Sequence, residues 1–178
     1  LDDELALDLE PLRRRSVAVD PKCPAAIATA VGTHPGLVAT APGATDAMAL
    51  LDCGSASNLA GVPTVRLIAQ HTPVPVTGPL KWSSALPAQS RVLLNAERLR
   101  TAARLQAGPT DAVLLAAGAD PLIVARSDAS TVVETSLDFG AMPATAGPET
   151  PLLVNLMFEH LFGTTLLNGI AIRSEEHT

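Results

Sequence analysis

Three short apolar runs separated by turn residues make the last third of the chain the most regular part of the sequence. The runs are residues 112–117 (AVLLAA), 122–126 (LIVAR) and 131–138 (TVVETSLD), with Gly, Pro, Asp and Ser between them. Short runs bounded by such residues are typical of β-strands. Because connections this short cannot hold a crossover helix, the pattern predicts an antiparallel meander.

The third run alternates between polar and less polar positions. Its even-numbered residues 132–138 are mostly polar, whereas its odd-numbered residues 131–137 are Thr, Val, Thr and Leu. This alternation predicts an outer strand with one side in water.

An amphipathic helix is predicted after the meander, beyond a spacer rich in Pro, Gly and Thr. Thr150 can cap its N-terminus, Pro151 stands where a missing N–H is harmless, and Gly163 can close it. Apolar residues then recur at helical spacing and form a stripe that can pack on the sheet. The stripe consists of Leu152, Leu153, Leu156, Met157 and His160 or Leu161.

The first half of the chain has the pattern of strands and one helix joined by longer connections. Strands are predicted at residues 16–20, 37–41, 46–53 and 62–69, and the Ala-rich segment 24–31 is predicted as a helix. This order is typical of an α/β layer.

Four segments fit this pattern less well. Residues 1–12 are an acidic lead-in, residues 173–178 are a polar tail, and residues 71–90 form a Pro-rich surface excursion that Trp82 anchors to the body. Residues 94–105 fit either a helix or a strand. The alternation of arginines with apolar residues favours the strand.

Length, composition and charge exclude several classes of protein. The 178 residues, 47% hydrophobic and 17% charged, predict one globular domain over residues 1–178. A net charge of −6 and the absence of Tyr argue against a nucleic-acid partner. No run reaches the roughly 18–20 apolar residues of a membrane span, and the acidic start is unlike a signal peptide. Since the chain begins without Met, we expect it to be a piece of a longer protein.

The two cysteines, Cys23 and Cys53, are too few for a disulfide framework. We expect both to be buried and unpaired, because free cysteine packs as a small hydrophobic residue. A single bridge between them is the alternative. The four histidines show no metal-ligand spacing and the glycines match no nucleotide-binding motif, so neither a metal nor a cofactor is predicted.

Three apolar segments carry a resemblance to a known family: residues 121–126 (PLIVAR), 132–139 (VVETSLDF) and 151–157 (PLLVNLM). Together with the strands of the first half, they resemble the class I glutamine amidotransferase-like domain of bacterial aerotolerance-type (BatA-like) membrane proteins, where it follows a von Willebrand factor A domain. The resemblance implies a flavodoxin-like α/β sheet with a C-terminal antiparallel meander and a packing C-terminal helix. It also implies a membrane-anchored parent protein, with this region on the extracytoplasmic (periplasmic) side.

An active amidotransferase of this family needs a cysteine nucleophile on a tight turn, activated by a histidine. The end of the corresponding predicted strand offers Gln70 and His71 but no cysteine. Cys53 instead ends the preceding strand, between Asp52 and Gly54. We therefore predict a degenerate, non-catalytic site, with these five residues facing a ligand at the carboxyl end of the sheet.

The leading hypothesis from the sequence is an interaction or ligand-sensing module, with a protein partner or small ligand that the sequence does not identify. One alternative is a thiol hydrolase or amidase in which Cys53 works with His71, which requires a reactive thiol. Another is a small-ligand-binding periplasmic domain, which requires a cleft with convergent polar groups.

Overall fold

The computed structural model describes residues 14–55, 61–68, 71–83, 94–127, 130–142, 147–163 and 166. Within them the strands are β1 (Arg15–Val19), β2 (Leu37–Thr40), β3 (Ala49–Asp52), β4 (Thr64–Leu67), β5 (Val74–Pro75), β6 (Leu80–Trp82), β7 (Arg100–Thr101), β8 (Ala112–Ala117), β9 (Asp120–Ser127) and β10 (Thr131–Thr135). The helices are α1 (Ala25–Thr33) and α2 (Glu149–Phe162), and Ala96–Arg98 form one turn of 3-10 helix. The predicted lead-in 1–12 and tail 173–178 lie outside the described residues.

Eight of the strands form one mixed sheet in the order β2-β1-β3-β4-β10-β9-β8-β6. The first five are parallel, and with β10 counted as the fifth their order is the 2-1-3-4-5 of flavodoxin-like folds. The pairs β10–β9, β9–β8 and β8–β6 are antiparallel, and β5 pairs with β7 in a small second sheet. The flavodoxin-like α/β fold, the meander and the packing helix are confirmed.

Both helices pack with one face of the sheet and with each other. Helix α1 contacts β2 and α2, and α2 contacts β4 and β10. Each central strand places an apolar residue on this face, and these residues are fully buried together with apolar residues of the helices in the main core. Burying each such side chain contributes roughly 1.5–3 kcal/mol to the stability of the fold. The central residues are Val17, Leu51, Val65 and Val133, and the helical ones include Ile27, Val31, Leu153, Val154, Met157 and Phe158.

The sequence prediction for α2 is confirmed at its C-terminus and wrong at its N-terminus. Gly163 has φ 65° and its N–H donates to the carbonyl of His160 at 3.2 Å, which confirms it as the C-terminal cap. Thr150 as N-terminal cap is wrong, because Pro148 takes that position and the helix begins at Glu149. The backbone of Pro148 is already helical, so the helix starts before Thr150 is reached.

The opposite face of the sheet carries a row of charged side chains that we call the charge ladder: Asp52, Arg66, Glu134, Arg126 and Asp111. Arg66 Nε lies 3.2 Å from Asp52 Oδ2, and Arg66 is the register partner of Glu134 on β10. Arg126 then joins Glu134 at 3.1 Å and Asp111 at 2.6 Å. The sign of the charge alternates along the row, so each acid lies beside a base. Parallel sheets usually have apolar layers on both faces, and here paired charges cover part of one.

The prediction that residues 131–138 form an outer strand is wrong. Strand β10 lies between β4 and β9 and so is not at an edge of the sheet. The predicted alternation of its two faces is confirmed, since Val133 and Thr135 are buried. Its polar face, which the sequence assigns to water, contributes Glu134 to the charge ladder. A central strand whose polar residues pair across the sheet has the same sequence pattern as an edge strand.

Two predictions for the segment between residues 71 and 105 also need correction. The Pro-rich excursion 71–90 contains β5 and β6, and β6 forms an edge of the main sheet through β8. Trp82 lies in β6 and packs against the core, which confirms its anchoring role, whereas residues 84–90 lie outside the described residues. The strand favoured for residues 94–105 is wrong over most of its length. Only Arg100–Thr101 is paired as a strand, and the buried residues around it follow a spacing of three instead of the alternation of a strand.

Removing the positive charge of Arg126 should destabilise the protein. The Arg126 side chain is 27% exposed, and its guanidinium also donates to the carbonyl of Gln106 at 2.7 Å, so it satisfies two acids and one loop carbonyl. We expect Arg126→Gln to lower the free energy of unfolding by roughly 2 kcal/mol in urea denaturation. Lys81→Gln, which removes an equal charge from an exposed position on β6, is the control. Equal effects of the two changes would contradict the role of the ladder.

Candidate functional site

The carboxyl ends of β1 and β3 form the switch point of the parallel sheet, because the strand order reverses between them. Ligands of open α/β sheets bind at this place. Residues 20–24 follow β1 and residues 53–55 follow β3. We call these two segments the switch-point loops.

A disulfide bond between Cys23 and Cys53 joins the switch-point loops, with 5.0 Å between the two Cα atoms. Both cysteines are half-buried and pack against the core. The expectation that they are unpaired is therefore wrong, and the alternative bridge is correct. The two residues are 30 positions apart in sequence, and they meet because β1 and β3 are neighbours in the sheet.

The carboxylate of Asp20 is held by four donors of the same two loops. Its Oδ2 accepts the N–H groups of Cys53 at 3.0 Å and Ser55 at 2.9 Å. Its Oδ1 accepts the Ser55 hydroxyl at 2.7 Å and the N–H of Lys22 at 2.9 Å. The donors that a ligand anion or an oxyanion would use at this edge are therefore occupied by a side chain of the protein itself.

These contacts lower the pKa of Asp20 to about 2, from an ordinary value of 3.8. Burial alone would raise this pKa, since Asp20 is 3% exposed. The hydrogen bonds from Lys22, Ser55 and Cys53 favour the charged form and outweigh the burial. Asp20 is therefore ionised over the whole physiological pH range, and its carboxylate is bound by donors of the protein itself.

Asp52 and Gly54 also serve the structure of the switch point. Asp52 Oδ1 accepts the N–H of Gly54 at 2.9 Å, and its Oδ2 pairs with Arg66 in the charge ladder. Gly54 has φ 113°, a conformation that other residues rarely adopt. The predicted set of ligand-facing residues is thus divided, with Asp52, Cys53 and Gly54 together at the switch point.

His71 lies elsewhere, at the mouth of a groove of about 310 Å³. The groove is bounded by β5 and β7, by the segment Ala102–Leu105 and by the turn between β8 and β9; none of its lining residues belongs to the switch-point loops. Gln70 lies outside the described residues. A dyad of Cys53 and His71 has no support, since the sulfur of Cys53 is bonded to Cys23 and the two residues belong to different sites.

A second cavity of about 550 Å³ lies between the first turns of α1 and α2. Its charged lining residues are Arg98 and Glu149, and Arg98 Nε lies 2.9 Å from Glu149 Oε1. Because these opposite charges pair with each other, the cavity offers less for orienting a ligand than the groove does.

Two further histidines, His34 and His160, contribute to the packing of the fold and do not line the groove. His34 Nδ1 accepts the N–H of Gly36 at 2.9 Å, so its Nε2 carries the proton that bonds to Asn155 Oδ1 at 2.8 Å. Burial lowers the pKa of His160 on α2. Among the described residues there is no group of three or more His, Cys, Asp or Glu that could hold a metal ion.

Sequence reasoning missed three groups at these sites. The sequence pattern makes Asp20 the end of a predicted strand, and its position at the carboxyl end of the first parallel strand is a signal that could have identified it as a switch-point residue. Arg104 and Asp120 line the groove, and no local motif distinguishes them from other surface charges.

The chain matches no protein-family model, and comparison with curated proteins gives no significant similarity. The resemblance to the BatA-like proteins therefore stays a prediction. Over the part of the chain that the structure describes, we find no helix with the length and apolar character needed to cross a membrane.

Removing the disulfide should destabilise the protein strongly. The bridge closes a loop of 30 residues, and cross-links of this length contribute roughly 3.5 kcal/mol by restricting the unfolded chain. We expect the double variant Cys23→Ser, Cys53→Ser to lose about this much in urea denaturation. A reducing agent should lower the stability of the wild type and leave the double variant unchanged. A wild type that is insensitive to reduction would contradict this assignment.

The Asp20 network should make stability depend on acid pH. Because the pKa is about 2 in the folded state and 3.8 in the unfolded state, the contribution is fully present above pH 3.8 and is lost as the pH falls towards 2. Asp20→Asn should lower the free energy of unfolding at pH 7 by roughly 2 kcal/mol and flatten the pH dependence in that window. Asp46→Asn, at an exposed position outside the switch point, is the control. A wild-type slope retained in Asp20→Asn would refute the network.

Proposed function

We propose that this chain is a non-catalytic, degenerate amidotransferase-like domain that serves as an interaction or ligand-sensing module. The bond between Cys53 and Cys23 is the observation that carries the proposal, because a sulfur in a disulfide cannot act as a thiolate nucleophile. The position of Asp20 supports it further. A buried carboxylate occupies the backbone N–H groups that an oxyanion hole would need to keep open.

The fold supports the resemblance at the level of architecture. Five parallel strands in the flavodoxin-like order, an antiparallel extension and a C-terminal helix are the arrangement that the resemblance implies. Because one fold hosts many activities, the functional part of the proposal depends on the chemistry of the switch point and not on the fold.

We place the domain on the extracytoplasmic, periplasmic side of a bacterial membrane, within a membrane-anchored protein. The disulfide supports this location, since such bonds persist in oxidising compartments and are rare in the cytosol. The membrane anchor and the bacterial source depend on the resemblance of residues 121–126 and 151–157 to the BatA-like family.

The proposal is tested by assaying glutamine hydrolysis with the oxidised protein, the reduced protein and Cys53→Ala. We expect no release of ammonia above the blank in any of the three, and no alkylation of the oxidised protein by iodoacetamide at neutral pH. Ammonia release by the reduced protein that is lost in both Cys53→Ala and His71→Ala would establish the thiol amidase instead.

A further inference from the structure

The groove that contains His71 is built from one continuous part of the chain. All of its lining residues fall between positions 71 and 122, within the segment that connects β4 to β10. The switch point, in contrast, is formed by residues that follow β1 and β3. The groove is therefore a separate site, and its properties do not depend on the chemistry of Asp20 or the disulfide.

The floor of the groove is apolar and fixed in place. Ala102, Leu105, Ala117 and Leu122 are all buried. The carbonyl of Leu122 accepts two hydrogen bonds, one from the backbone N–H of Ser136 at 3.1 Å and one from the hydroxyl of Thr135 at 3.0 Å. The N–H of Ala102 donates to the carbonyl of Ser136 at 2.8 Å. A ligand that binds here meets a floor that needs no rearrangement, which lowers the entropic cost of binding.

The walls of the groove are also held by backbone contacts. The N–H of Val76 donates to the carbonyl of Leu99 at 3.3 Å, and the N–H of Gly118 donates to the carbonyl of Pro79 at 2.9 Å. Gly78 has φ 95°, and a Cβ atom there would lie 3.1 Å from the nitrogen of Gly118. Glycine is therefore needed for the close approach of this wall to the turn between β8 and β9.

The rim carries two opposite charges that the protein leaves unpaired. Arg104 and Asp120 are exposed, and among the described residues neither side chain has a hydrogen bond or an ion pair. Other arginines near the sheet are engaged: Arg66 and Arg126 in the charge ladder, and Arg98 with Glu149. The groove thus combines an apolar floor with one cation and one anion that are free to contact a ligand.

We propose that the groove binds a small zwitterion of amino-acid or dipeptide size with aliphatic side chains. The aliphatic part lies on the floor, the carboxylate contacts the guanidinium of Arg104, and the ammonium group contacts Asp120. A volume of about 310 Å³ suits a small ligand, at the lower end of the range for small-molecule sites. The inference deepens the proposed ligand-sensing function and rests on it.

The test measures binding of three probes to the oxidised protein by titration calorimetry: leucyl-leucine, its N-acetyl form and its C-terminal amide. We expect saturable binding of leucyl-leucine and about five- to tenfold weaker binding of each capped probe, because each lacks one rim contact. Arg104→Gln should bind leucyl-leucine as weakly as the amide and should no longer distinguish the two. Asp120→Asn should lose the distinction between leucyl-leucine and its N-acetyl form.

Matched controls separate these contacts from general changes in charge. Lys81→Gln and Asp46→Asn alter the same charges at exposed positions outside the groove, and both should bind as the wild type does. Thr77→Trp, at an exposed lining position, should obstruct the groove and abolish binding.

Two results would overturn the inference: no saturable binding of any probe up to about 10 mM, or a preference of Arg104→Gln for the free carboxylate over the amide. Failure of the proposed function is distinguishable, since it is seen as glutamine hydrolysis by the reduced protein and does not depend on any probe binding in the groove.

Discussion

The parallel register of β1, β3, β4 and β10 is the constraint on which the rest of this structure depends. It aligns the apolar residues of these strands on the side of the two helices, where burial stabilises the fold. The same register places Asp52, Arg66 and Glu134 side by side on the opposite face, so the acids and bases pair. It also brings the ends of β1 and β3 together. A shift by one residue in any of these strands would exchange the two faces of that strand and disrupt the features to which it contributes.

Covalent and electrostatic contacts then close the edge at which folds of this order usually bind ligands. The disulfide and the Asp20 carboxylate connect the same two loops, and each contact makes the geometry of the other easier to form. The carboxylate satisfies backbone N–H groups that would otherwise need water or a ligand, so the N–H groups of Cys53 and Ser55 are both paired. Catalysis at this edge would require breaking both contacts.

Periodicity in the sequence was sufficient for most of the longer strands, for both helices and for the α/β class, because these depend on local alternation and on Pro and Gly positions. It was insufficient wherever the outcome depended on which strands are neighbours. The pairing of Cys23 with Cys53 follows from the contact of β1 with β3, and the central position of β10 follows from its pairing with β4. Likewise, Asp52 lies near the end of one predicted strand and His71 follows the next, and the strand ends alone did not reveal that the two residues belong to different sites.

The segment between β4 and β10 supplies both the antiparallel half of the sheet and the groove, and its contacts link the two. The floor residues Ala102 and Leu122 are hydrogen-bonded to the residues at the end of β10, and that strand carries Glu134 of the charge ladder. A ligand on the floor therefore contacts residues that are one hydrogen bond away from the central sheet. The unpaired charges of the rim are hydrated and cost little when the groove is empty, whereas every charge of the ladder is paired within the protein. This difference in pairing, more than any difference in depth or volume, is what distinguishes a surface available to a ligand from one that maintains the fold.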